Sequence, residues 1–231
     1  MRGSVPAIAA LALAAIQVSA FGQSANYVRD GSSCDLNDGT TLRELCPNGM
    51  GLPTYPSTQD MMTRSPNIAN MVVDAANQYG VDPRLALAVS AHEGAMSACA
   101  GSFSGVQGPM QLTQATGRSY GMDRGVLSQN IKGGMLTLKA AIKSCGGSSN
   151  IRCLADRYNG STESQRRNWT NDVTRRLAGL QTASIPAGCN GSAVCSGPGD
   201  FPGQNPNGSQ IAGAGAPAPA STDIRVPDGM V

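Results

Sequence analysis

Residues 81–111 read VDPRLALAVSAHEGAMSACAGSFSGVQGPMQ, an apolar segment that ends on an acid and runs into a glycine-marked loop. Asp82 is a good N-cap. Pro83 suits the first helical position, because proline lacks the N–H that would go unsatisfied there anyway. The spacing predicts a helix from Pro83 with Leu85, Ala86 and Val89 on one face. Glu93 falls on that face, where the stripe calls for an apolar residue. Partial burial disfavours the charged form of a carboxyl, and the negative end of the helix dipole acts in the same direction. Glu93 is therefore expected to hold a proton near neutral pH, as a general acid must; carboxyls tuned in this way reach a pKa of roughly 6. The plainer alternative is a Glu that reaches into water from a fraying helix end.

Working outward, Ser65 and Pro66 mark an earlier helix start, with Ile68, Val72, Ala75 and Tyr79 at helical spacing until Gly80 stops it. This helix is expected to pack on the one bearing Glu93. Residues 97–107 are small and polar, a loop that lets the chain return toward the acid. Gly105 and Gly108 permit close backbone approach, and Pro109 can start a short helix carrying Met110 and Gln111. Thr116-Gly117 and Tyr120-Gly121 mark turns. A helix over 129–144 carries Ile131, Met135, Leu138 and Ile142 in one stripe, with Lys132, Lys139 and Lys143 off it and Gly146 at its end. Ser149 can cap the next helix, where Ile151, Leu154 and Tyr158 share a face. Thr162 and Gln165 form a possible capping box before a last helix presenting Trp169, Val173, Leu177 and Leu180. Arg166, Arg167, Arg175 and Arg176 lie on its other faces, read as a solvated surface or as a contact for anionic cell-wall groups. The expected architecture is all-α over residues 65–181.

The order of Glu93, then Gly105-Val106-Gln107-Gly108-Pro109-Met110-Gln111-Leu112, then Arg157-Tyr158-Asn159 resembles the soluble lytic transglycosylase family, which has a lysozyme-like fold. The family pattern is Glu-Ser, Gly-Leu-Met-Gln and Ala-Tyr-Asn in that order. Tyr79 to Pro83 and Gln129-Asn130-Ile131 also resemble the family's connecting segments, so the likeness covers about residues 67–169. Gly94 stands where the family has Ser, Pro109 where it has Leu and Arg157 where it has Ala. The resemblance implies a catalytic Glu93 and substrate-binding roles for Gln107, Gly108, Met110, Gln111, Tyr158 and Asn159. Met110 either lines the groove or fills the core. An amide at Gln111 suits an N-acetyl group. Tyr158 either bonds Glu93 and holds its orientation or is a core aromatic with a satisfied hydroxyl.

The two ends of the chain differ from this helical centre. Arg2, the apolar run Val5 to Ile16 and the small residues Val18-Ser19-Ala20 read as a signal peptide over 1–20, cut near Ala20 and too short for a membrane anchor. A periplasmic location and no stable membrane anchor follow as expectations. Residues 21–64 lack periodicity and read as an irregular extension held by cysteines. Residues 182–231 are rich in Pro, Gly, Ala and Ser, as in GAGAPAPAST, and read as a disordered tail. The formal net charge of the whole chain is +2, and no dense basic run with interleaved aromatics calls for nucleic acid.

All seven cysteines follow the signal segment, and export would place them where disulfides form. Close spacing favours Cys34 with Cys46, Cys145 with Cys153 and Cys189 with Cys195, leaving Cys99 over, although six cysteines allow many pairings and sequence does not choose among them. No CxxC occurs and His92 is the single histidine, so neither a metal nor another cofactor is expected. His92 points about 100 degrees from Glu93 on a helix and forms no evident pair with a cysteine nucleophile.

Glycosidases usually pair two carboxylates; none stands in a motif beside Glu93, and Asp123 and Asp156 qualify only if the fold brings them close. The resemblance implies a one-acid scheme on peptidoglycan glycan strands, yielding a 1,6-anhydro-muramic end without water. It also extends to the specialised transglycosylases of conjugation and type IV secretion machines, with machine components as possible partners and a monomeric protein. A hydrolytic muramidase and a non-catalytic wall-binding or secretion-scaffold protein are the alternatives.

Overall fold

A computed structural model of the chain describes residues 29–159 and 162–189. The expected signal peptide, Cys195 and the tail beyond Cys189 lie outside the described residues. Eight helices order the described chain: α1 (Leu42–Leu45), α2 (Thr58–Arg64), α3 (Pro66–Tyr79), α4 (Pro83–Gly94), α5 (Gln114–Ser119), α6 (Leu127–Ser144), α7 (Ile151–Tyr158) and α8 (Glu163–Leu180). Among the described residues β-pairing is limited to isolated bridges. The all-α expectation holds.

Helix α4 is the centre. The Asp82 side chain accepts from the Arg84 N–H and Pro83 occupies the first turn, as the sequence predicts. Its burial is broader than one stripe, because every residue from Leu85 to Ala91 is buried. The alternation of alanine with larger side chains lets α3 pack on one side of α4 and α8 on another, while α6 backs α3 and α7 bridges α6 and α8. A helix covered all round in this way holds its last turn, and therefore Glu93, in a fixed place.

Several local expectations are corrected. Ser65 does not cap α3; its hydroxyl is buried without a hydrogen-bond partner. Asp30 takes the role from 37 residues upstream, its two oxygens accepting from the N–H groups of Asn67 (3.1 Å) and Ile68 (3.0 Å). Burial raises the Asp30 carboxyl to about 6 against the lowering effect of those two bonds. The described part of the extension, residues 29–64, is less irregular than expected, since α1 carries a full capping box between Thr41 and Glu44 and α2 is capped by Ser57. Gly117 lies inside α5 instead of at a turn, and Asn150, not Ser149, caps α7. The Thr162–Gln165 capping box of α8 forms as read. Arg176 is not on a solvated face: it is buried and bonded to Asp172, Pro56 and Thr58.

The disulfides follow three-dimensional proximity instead of sequence spacing. Cys145–Cys153 forms as expected. Cys34 pairs with Cys189, 155 residues away, and Cys46 pairs with Cys99, 53 residues away. Cys99 is thus no leftover thiol, and Cys189 is not paired with Cys195. Residues 182–189, assigned by composition to the tail, run back over the domain: Ala183 and Ile185 pack against the core, and the Cys189 N–H donates to Asp74 at 2.8 Å. The Cys46–Cys99 bridge thus sews the N-terminal flank to the helical centre, and Cys34–Cys189 sews the two flanks to each other.

Candidate active site

The site is built where α4 ends. Beyond Gly94 the chain turns through Ala95 and Met96, both left-handed with φ of 49° and 50°. Such backbone is costly for residues with a Cβ. Full burial of both side chains holds it in place. The reversal sends the chain through Cys99 and a loop that comes back over the end of α4.

That return is tight. A Cβ on Gly94 would lie 2.5 Å from the Gly108 carbonyl oxygen and 2.7 Å from the Pro109 Cα. The departure from Ser at this position therefore has a steric reason, since the 108–109 backbone occupies the space a side chain would need. Ser90, one turn earlier on α4, instead donates its hydroxyl to the Pro109 carbonyl at 3.2 Å. Pro109 does not start a helix; residues 107–112 form a turn in which the backbones of Gln107 and Leu112 bond each other.

Two residues not singled out as functional fix this loop. Asn130, fully buried on α6, donates to the carbonyls of Gln107 (2.8 Å) and Arg124 (3.1 Å) and accepts from the Met110 N–H (3.3 Å). Gly108 is left-handed (φ 71°) and abuts this amide, where a Cβ would lie 2.7 Å from Asn130 Oδ1. Arg124 bonds the carbonyls of Gly105, Leu112 and Phe103.

Glu93 sits at this junction with partial exposure. Burial pushes its carboxyl up to about 7, against the lowering effect of one hydrogen bond, from Trp169 Nε1 to Glu93 Oε1 at 2.7 Å. The sequence pattern places Trp169 at a core position on the last helix; its partner lies 76 residues away, and the signal that points to it is that a buried indole N–H needs an acceptor. The Tyr158 hydroxyl does not bond Glu93. It donates to the Met110 carbonyl at 3.1 Å, while its ring lies 6.1 Å from that of Trp169. Burial, then the charge of Glu93, raises Tyr158 well above the ordinary tyrosine value, so it stays a neutral donor.

The other candidates divide. Met110 is fully buried, its side chain pressed on Gly134 of α6, so it fills the core and offers the site its carbonyl alone. Gln111 adopts φ 48° and donates its amide to the carbonyls of Gly108 (2.7 Å) and Ala100 (3.1 Å). Gln107 is buried and donates to the Phe103 carbonyl. Asn159 closes α7 directly after Tyr158 and is partly exposed.

Among the described residues no second carboxylate acts on Glu93. Asp156 is held by Arg152 and Arg166, and Asp123 accepts from the Gly125 N–H within its own turn. Next to Glu93 on α4, His92 packs edge-on against the Trp169 ring, with centroids 6.0 Å apart, and its Nδ1 bonds Asp172 at 2.8 Å. Burial acts to raise Asp172, but bonds from Arg176, His92 and Arg175 outweigh it and hold the carboxyl at about 2. Burial, in contrast, lowers His92, which therefore donates as a neutral ring.

Residues 70–177 match the family model of the transglycosylase SLT domain. Over these residues the helical centre is similar to the SLT domain. No solved structure matches the chain at a significant level. The SLT match begins inside α3, so Asp30, Cys46 and α2 lie outside it, although the fold joins them to it. No helix among the described residues is long and apolar enough to cross a membrane.

Proposed function

We propose that the protein is a peptidoglycan lytic transglycosylase that cleaves the β-1,4 bond between N-acetylmuramic acid and N-acetylglucosamine. The observation that supports this reading is Glu93, whose carboxyl is raised by burial and has no carboxylate partner among the described residues, within the stretch that matches the SLT domain. Glu93 as the acid gives its proton to the glycosidic oxygen and the bond from that oxygen to the anomeric carbon breaks. The resulting carboxylate takes the proton of the sugar's own 6-hydroxyl, whose oxygen closes on the anomeric carbon. A 1,6-anhydro end results, Glu93 is protonated again and no water is consumed. The tethered nucleophile has a high effective molarity, which compensates for the missing second carboxylate. Trp169 orients the carboxyl and stabilises its charged form in the second half of the cycle. Tyr158 and the 107–112 turn shape the groove, with Gly108, Gln111 and Asn159 toward the glycan.

We assign the protein to the periplasm, and to local wall opening for a secretion or conjugation machine. This assignment rests on the leader-like N-terminus and on the resemblance to the small transglycosylases of such machines. The test is mass spectrometry of muropeptides released from purified peptidoglycan by the oxidised protein and by Glu93→Gln. Anhydro-muramic ends that vanish in the variant support the reading. Reducing ends would replace it with hydrolysis, and anhydro ends that persist in the variant would remove Glu93 from the mechanism.

A further inference from the structure

The segment Leu52-Pro53-Thr54-Tyr55-Pro56 precedes the SLT match, yet it reaches the acid's own residue: the Tyr55 hydroxyl donates to the Glu93 carbonyl at 3.2 Å. Glu93 in turn acts on Tyr55, whose hydroxyl is raised by burial and by that charge. Tyr55 nevertheless remains 44% exposed. Among the described residues the exposed large hydrophobics are Leu52 (81%), Tyr55 (44%) and Val106 (39%). All three sit on strips of chain tied to the loop that returns over Glu93. Gly51, next to Leu52, bonds Cys99 and Gly101, and Gly101 pairs with Gln107, next to Val106.

These exposed side chains stand on a fixed frame. Pro53 is buried, the Pro56 carbonyl accepts from the buried Arg176, and the Cys46–Cys99 disulfide ties the segment's approach to the loop after α4. An aromatic side chain held on a fixed frame and left partly uncovered loses little entropy on meeting a ligand. Its apolar face suits the C–H face of a pyranose ring, while its hydroxyl is occupied by the Glu93 carbonyl.

We propose that Tyr55, with Leu52 in the same segment, is a glycan-binding wall of the Glu93 site contributed by the N-terminal extension, against which a sugar ring of the peptidoglycan strand packs. The proposal rests on the functional reading above and adds a binding residue that lies outside the SLT match. The Cys46–Cys99 disulfide keeps that wall in register with the acid.

The test is calorimetric titration of the oxidised mature chain, in the Glu93→Gln background, with a soluble oligomer of alternating N-acetylglucosamine and N-acetylmuramic acid. Tyr55→Ala is expected to weaken binding about tenfold, the size of one good aromatic contact. Tyr55→Phe, which keeps the ring, restores affinity to within about twofold. Leu52→Asp, at a position too exposed to threaten folding, weakens binding severalfold and keeps the test decisive if Tyr55→Ala does not fold. Equal affinity for Glu93→Gln alone and for the Tyr55→Ala and Leu52→Asp variants would overturn the wall while leaving the enzyme reading intact. Loss in Tyr55→Phe as large as in Tyr55→Ala would also overturn it, reducing Tyr55 to a prop for the Glu93 carbonyl. If Glu93→Gln itself binds no oligomer, the wall and the functional reading fall together.

Discussion

Glu93→Gln is expected to stabilise the fold at pH 8 and to leave it unchanged at pH 4. The unfolded carboxyl titrates near 4.5 and the folded one at about 7. Between those values the folded chain holds more protons than the unfolded chain, so stability falls as pH rises, and the full penalty is present above the folded value. The shift corresponds to about 3 kcal/mol, reduced to about 2 kcal/mol because Glu93 keeps some solvent contact. Gln has nearly the same shape, and its Oε1 still accepts from Trp169 Nε1, so the variant removes ionisation and little else. Asp30, raised in the same direction to about 6, is present in both proteins and cancels in the difference. The assay is urea denaturation followed by circular dichroism at pH 4, 5, 6, 7 and 8, with the disulfides intact. The two stability curves should coincide at pH 4, separate above pH 5 and run parallel at pH 8. A difference that does not change with pH, or a variant less stable at pH 8, would refute the claim that Glu93 is held in a site hostile to its charge.

Trp169→Phe removes the bond that lowers Glu93, so the alkaline limb of the pH–rate profile moves to higher pH while turnover drops roughly tenfold, the value of one hydrogen bond to a charged group; an unmoved limb would deny the coupling. Gly94→Ser forces a Cβ into the Gly108–Pro109 backbone and should cost about 1–3 kcal/mol in denaturant titration. Asp172→Asn leaves the buried Arg176 without its carboxylate and should destabilise by about 3 kcal/mol at pH 7. Because the folded Asp172 titrates at about 2, below its ordinary 3.8, that stabilisation is complete above pH 4 and disappears as pH falls through 2, where the difference between the two proteins should close. Removing the Cys46–Cys99 bridge by Cys46→Ser with Cys99→Ser frees a 53-residue loop and should lower unfolding stability by about 4 kcal/mol, checked against the intact protein by thermal and urea unfolding.

What the sequence disclosed is what local chemistry encodes. Asp82 and Pro83 start α4 with contacts only two residues long, Thr162 and Gln165 box the start of α8 within three residues, and Glu93 was conspicuous because a charged residue broke an apolar stripe. What stayed hidden depends on distant partners. Asp30 replaces Ser65 as a cap because the extension folds back over α3, and no spacing rule links positions 37 residues apart. Short-range pairing placed Cys34 with Cys46, but the helices that lie between Cys34 and Cys189 bring those two together instead. Met110 carried two readings, and the small Gly134 facing it, which makes room for its side chain in the core, lies on a different helix. The residue pattern places Tyr158 at the site, whereas its acceptor depends on where the 107–112 turn puts the Met110 carbonyl.

The chain contains one tryptophan, and its indole N–H is bonded to the acid itself. All indole emission from the native protein thus originates within a hydrogen bond of Glu93, with the ring of Tyr158 as a near neighbour. The molecule carries its own optical probe at the place where the reaction begins. Loss of the Glu93 proton, arrival of a sugar and opening of the groove each change the surroundings of that single fluorophore, so they are readable in unlabelled protein at the concentrations where it acts.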